Sequence, residues 1–212
     1  EQAKEAIIEK FGESISAPEE MAEAQKELAD VAENVMRTME DAEGVTSMDL
    51  RDMKLLRQQI ALGTRMAKDE YYAIPVMVAD ELTNVQLKIV RGKEERGRVD
   101  VLFETPKLGK VAARFQVQED SVKGYVVSDS YRTIEELKNQ AGSVNGQPEQ
   151  GGSRAMDYVY SEDLDLTRFV GGRTGNTAGL DTESEPYQVQ TRTLYGIAKG
   201  FLEEMKQFGQ KI

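Results

Sequence analysis

The chain has 212 residues, 39% hydrophobic and 31% charged, which is long enough to bury a core without disulfide or metal staples. It contains neither His nor Cys. That excludes an imidazole titrating near neutral pH, a Ser-His or Cys-His pair, a thiolate nucleophile, a disulfide and a cluster of soft metal ligands. A net charge of −11 repels phosphate backbones and anionic membrane surfaces, so nucleic acid and lipid are poor partners.

Residues 1–70 read as helical. A short piece from Ala3 to Phe11 stops at Gly12, and Ser16 to Glu19 resembles a capping box with Pro18 in the first turn. Met21, Ala24, Leu28, Val31, Val35 and Met39 then recur at spacings of three and four, which puts them on one helix face. Gly44 suits a left-handed C-cap. A second helix begins near Thr46 or Ser47, with Met53, Leu56, Ile60 and Ala67 as its apolar stripe, and the short connection predicts an antiparallel helical hairpin.

From Ile74 the pattern changes to period two. Ile74–Val78, Val85–Val90, Arg98–Glu104, Lys110–Val117 and Val122–Val127 read as strands, with turns at Asp80–Asn84, Lys93–Arg98 and Gln118–Ser121. This is a small, mainly antiparallel sheet with one face buried. A helix follows from about Thr133, with Ile134 and Leu137 as its apolar contacts. Met156–Tyr160 reads as one more strand. The Gly-rich stretches at 142–153 and 171–187 read as a flexible insertion and a flexible loop.

The chain closes on an amphipathic helix within 188–212, striped by Leu194, Ile197, Ala198, Phe201, Leu202, Met205 and Phe208. That stripe must bury itself against the N-terminal hairpin or a partner, which makes Leu194, Ile197, Phe201 and Met205 candidate partner-binding residues. The fold class is therefore α+β. It divides into a helical hairpin region (1–70), an α+β domain (71–170), a flexible loop (171–187) and a closing helix. No apolar run approaches the roughly 20 residues that span a bilayer, no signal-peptide pattern is present, and the missing Cys fits the cytosol. The opening at Glu1 in place of Met implies that something upstream was removed.

Sites for chemistry are weak. Gly171 to Gly179 has the glycines of a phosphate loop but lacks the Gly-Lys-Ser/Thr ending and a following helix. Asp157, Glu162, Asp163 and Asp165 supply oxygen donors, but the spacing of a calcium loop fails after the second Asp. A carboxylate pair that cleaves a glycoside is the remaining enzymatic alternative, and with 38 acidic residues some pair is always at hand. The expectation is a non-catalytic protein with no cofactor and no metal, acting through a protein partner.

The segment from Thr105 to Val111 carries more information. Pro106 ends one strand, Leu108 is a lone large apolar residue that can pin the connection, Gly109 opens backbone geometry closed to other residues, and Val111 resumes the buried face. The motif formed by Pro106, Leu108, Gly109 and Val111, between two alternating strands and followed by a third strand and a helix, resembles the C-terminal domain of flagellar hook-length control proteins. The resemblance covers about residues 74–140. It implies a non-catalytic module that contacts the cytoplasmic domain of the flagellar export gate and switches the substrate class of the type III apparatus. It also implies a protein of the bacterial cytoplasm that is itself exported. In this resemblance the four motif residues are mainly structural. Three features depart from it: the compact N-terminal hairpin, the Gly-rich insertion at 142–153 and the closing helix. A generic bacterial adaptor unrelated to flagella is the alternative.

Overall fold

The computed structural model describes residues 15–40, 63, 65–67, 69–78, 81–92, 96–118, 121–144, 154–167 and 188–209. The expected piece at Ala3–Phe11, the stop at Gly44, most of the second helix of the hairpin, and the bulk of both Gly-rich stretches lie outside these residues.

The architecture is α+β. Among the described residues, helix α1 (Pro18–Glu40) precedes a meander of β1 (Tyr71–Val78), β2 (Glu81–Arg91), β3 (Arg96–Thr105), β4 (Gly109–Gln118) and β5 (Ser121–Ser128). Helix α2 (Tyr131–Val144) crosses to β6 (Arg154–Tyr160), and α3 (Gln188–Gly209) closes the described chain. The sheet has six strands in sequence order. The first four pairings are antiparallel and β5–β6 is parallel, because a helix and not a hairpin joins them.

Alternation sends Val99, Val101 and Phe103 of β3, and Val111, Ala113, Phe115 and Val117 of β4, to one face. Met21 and Ala24 of α1, Leu137 of α2, and Leu194, Tyr195, Ala198, Phe201, Leu202 and Met205 of α3 join them in one core. All three helices therefore cover the same face. Phe201 meets Phe115 edge-on at 5.3 Å between ring centroids, a favoured aromatic geometry. Gly97 lets α3 come close, since a Cβ there would lie 2.7 Å from the Leu194 side chain.

This corrects the expectation for the closing helix. Leu194, Phe201 and Met205 are 1%, 3% and 1% exposed, and Ile197 is partly buried against the same core. The stripe is occupied by the sheet and is closed to a partner. The reason is geometric: three strands with bare apolar faces need a cover, and a helix of 22 residues reaches across them.

Smaller differences are local. Ala17 and not Ser16 holds the N-cap position of α1, because the Met21 amide donates to the Ala17 carbonyl. The Ser16 hydroxyl instead donates to the Glu20 carboxylate. Along the α1 stripe Val31 is exposed, so the helix leaves the core after its first turns. The hairpins are tighter than the sequence suggests: β2 already runs at Glu81, and β3 at Arg96, where Gly92 N donates to Arg96 O at 2.8 Å.

Candidate functional site

Among the described residues two polar clusters and one turn stand out as places for chemistry or recognition. The turn is the Thr105–Val111 segment. Gly109 sits at φ +70°, and the Asp129 carboxylate occupies the space its Cβ would need. Lys110 N donates to that carboxylate at 2.8 Å. Leu108 is fully buried; its amide donates to Thr105 Oγ1 at 3.0 Å and its carbonyl accepts from Thr133 Oγ1 at 2.9 Å. Val111 is also fully buried, while Pro106 and Lys107 stand out in solvent. The motif thus ties the β3–β4 turn to the β5–α2 connection, where Ser130 caps α2 through its hydroxyl.

The first cluster joins β1, β2 and α3. Residues 65–67 are helical, and the turn closes through Glu70 N to Ala67 O at 3.1 Å. Glu70 then takes φ +51°, a left-handed position that glycine normally fills at a helix end. Its surroundings hold it there. Its carbonyl accepts from Ile89 N at 2.9 Å. Its carboxylate takes a bidentate grip from Arg91, with Nε to Oε2 and Nη2 to Oε1 both at 2.6 Å. Tyr195 donates to Oε1 at 2.9 Å, and the Tyr72 hydroxyl lies 2.7 Å from that of Tyr195. Arg91 Nη1 also donates to Thr191 on α3.

Because Tyr195 gives its proton to Glu70, Tyr72 must donate to Tyr195. Burial pushes Tyr72 up to about 12, and it raises Tyr195 as well. Hydrogen bonding to Glu70 raises Arg91. At neutral pH both phenols are protonated donors and neither is a base. The carboxylate accepts three side-chain bonds. The cluster works as a clasp between sheet and α3.

The second cluster lies on the other face of the sheet. The pairing register places Tyr71, Lys88, Asp100, Arg114, Tyr125 and Asp157 in one row across all six strands. Asp100 is 1% exposed, a carboxylate buried at the centre of the row. Arg114 binds it with Nε to Oδ1 at 2.7 Å and Nη2 to Oδ2 at 3.2 Å. Arg98, two residues back on β3, brings its Nε within 3.2 Å of Oδ2, at an angle that makes an ion pair but no hydrogen bond. For Arg114, burial lowers the affinity for a proton, but the Asp100 bond and charge outweigh it, and the net direction is up. Tyr125, directly across from Arg114, adds a hydrogen bond. Tyr71 donates to Gln86 Oε1 at 2.6 Å.

One half of this face is roofed. The neighbouring row of Leu102, Ala112 and Val127 is covered by Leu164 and Leu166, just past β6. That roof explains the burial of Leu102, while Asp100 in the next row is buried in its pairing with Arg98 and Arg114. Asp165, weighed as a metal ligand from sequence, instead accepts from Thr167 N at 3.0 Å. Among the described residues no group of three or more acidic side chains gathers as a metal would require. The other half of the face carries no helix among the described residues, and Gln116, Lys123 and Asp157 there are exposed.

The sequence reading missed this row. The signal was present as the polar phase of each alternating strand, but that phase looks like ordinary solvated surface until the register lines it up. Comparison with protein-family models, with curated proteins and with solved structures finds no match. No helix among the described residues is long and apolar enough to cross a membrane.

Proposed function

We propose that this chain is a non-catalytic protein-binding module whose docking surface is the open half of the sheet around Asp100. The observation that carries the reading is one-sidedness: among the described residues α1, α2 and α3 cover one face, and the other presents an ordered row of polar side chains with half of it roofed by Leu164 and Leu166. The Glu70 clasp supports it, since its groups are engaged with one another in holding α3 to the sheet.

Site-specific photo-crosslinking in the native cell tests this. A cross-linking residue at Gln116, in the open half, should capture a discrete protein. One at Glu203, on the outer side of α3, should not. Equal products at both positions, or none at Gln116, would overturn the reading.

The narrower proposal is hook-length control and export switching in the bacterial cytoplasm, through the cytoplasmic domain of a flagellar export gate. It rests on the Pro106, Leu108, Gly109 and Val111 motif and on the order of strands and helix around it. Binding to the purified gate domain, together with abnormal hook length in a deletion strain, is the expected outcome. Normal hooks and no binding would leave the general adaptor reading.

A further inference from the structure

We infer that the open half-face recognises an acidic polypeptide segment; this rests on the proposal that the half-face is the docking surface. Three successive rows make up that half. The first is the Asp100 row, the second runs through Arg98, Gln116 and Lys123, and the third through Arg96 and Gln118. Together they carry Lys88, Arg96, Arg98, Arg114 and Lys123 against the carboxylates Asp100 and Asp157. Among the described residues the half-face thus carries more cationic than carboxylate side chains, in a chain whose net charge is −11. Such a local reversal of sign selects an anionic partner and steers it to this spot.

The site also contains its own example of the ligand. Asp100 is a carboxylate held by two guanidinium groups, and that triad has a net charge of +1. Arginine presents a planar fork that matches carboxylate geometry, and lysines on either side add charge without fixing orientation. Tyr71 and Tyr125 supply amphipathic rings in the same row.

Dimensions favour a short peptide over a nucleic acid. Strands lie about 4.8 Å apart, so the span from β2 to β5 is roughly 14 Å, the length of four or five extended residues. A nucleic acid would run off this patch onto acidic surface, which would repel it within a screening length of about 8 Å at physiological salt.

The test uses the full chain and a labelled glutamate-rich peptide of about ten residues, long enough to cross the patch when extended. Three comparators accompany it: the matching glutamine peptide, a single-stranded oligonucleotide of equal charge, and the unlabelled chain itself. Amide shifts should centre on Lys88, Arg98, Arg114, Lys123 and Tyr125. Affinity should fall roughly tenfold or more in a Lys88→Glu, Lys123→Glu double variant, whose changes sit on the partner-facing side. A Lys138→Glu, Lys199→Glu control changes net charge equally on the helical side, and its affinity should move by about twofold at most at moderate salt, because screening confines the effect. Shifts elsewhere, equal binding of the glutamine peptide, equal loss in both double variants, tighter binding of the oligonucleotide, or self-association through this face would each overturn the inference. If Gln116 cross-links a discrete protein while the glutamate peptide does not bind, the acidic-segment inference fails and the docking surface stands. If neither occurs, both fail.

Discussion

The two faces of this sheet are made from the same six strands, residue by residue in alternation, and yet they solve opposite problems. On the helical face Val99, Val101, Phe103 and Phe115 are buried in one core with side chains of α1, α2 and α3. On the other face the same strands hold Arg98, Asp100 and Arg114, one carboxylate paired with two guanidinium groups. The first face gains stability from apolar area removed from water. The second spends its side chains on a specific charge arrangement, whose net contribution to stability is small because desolvation offsets attraction. The contrast teaches that stability and recognition can be assigned to alternate residues of one strand, so that a change in one phase leaves the other intact.

The largest expected effect tests the helical face. Phe201→Ala should cost about 3–5 kcal/mol and Leu108→Ala about 2–5 kcal/mol, since each leaves a cavity where the surroundings relax only in part. Chemical denaturation measures both, and a midpoint unchanged in either variant would remove that residue from the core. An intermediate effect should come from alkaline pH. Tyr72 and Tyr195 are both raised above their ordinary value of 10.0, Tyr72 to about 12, so the fold favours their neutral forms. The stability they contribute is fully present below pH 10 and is lost as pH rises through the folded-state values. Phenolate absorbance should show these two ionising after the exposed tyrosines, and Tyr72→Phe should flatten the stability loss above pH 10. The smallest effect belongs to the open face. A Lys88→Ser, Lys123→Ser variant should lie within about 0.5 kcal/mol of the parent, as surface changes usually do. A loss of several kcal/mol would mean that the two faces are not separable.

Strands were the most legible elements, because alternation survives in Arg98–Glu104 and Lys110–Val117 whatever the neighbours are. The β3–β4 register follows from a turn centred at Lys107, which puts Asp100 opposite Arg114, but strand alternation alone did not draw it out. Extending the row to Asp157 was not legible, because β6 reaches β5 through α2, and a crossover leaves the register open. Nor was the destination of the closing helix. Periodicity identifies Leu194, Phe201 and Met205 as one stripe but does not say which surface receives it. The left-handed conformation of Glu70 escaped for a different reason. A glutamate at positive φ breaks the usual signal for a stop, and only Arg91, Tyr195 and Ile89, distant in sequence, make it tenable.

The order in which the sheet is strung has a consequence during synthesis. Each strand from β2 to β5 pairs with the one made just before it, so the meander can assemble as it leaves the ribosome, through contacts that close only short loops. The cover for β1, β2 and β3 is α3, which is translated last of the described elements. At about 5–20 residues per second, the nearly 100 residues separating β2 from α3 take roughly 5–20 s to make, and for that interval the apolar side of the first three strands has no α3 to shield it. The nascent chain therefore carries uncovered apolar surface until the last of its described helices is made.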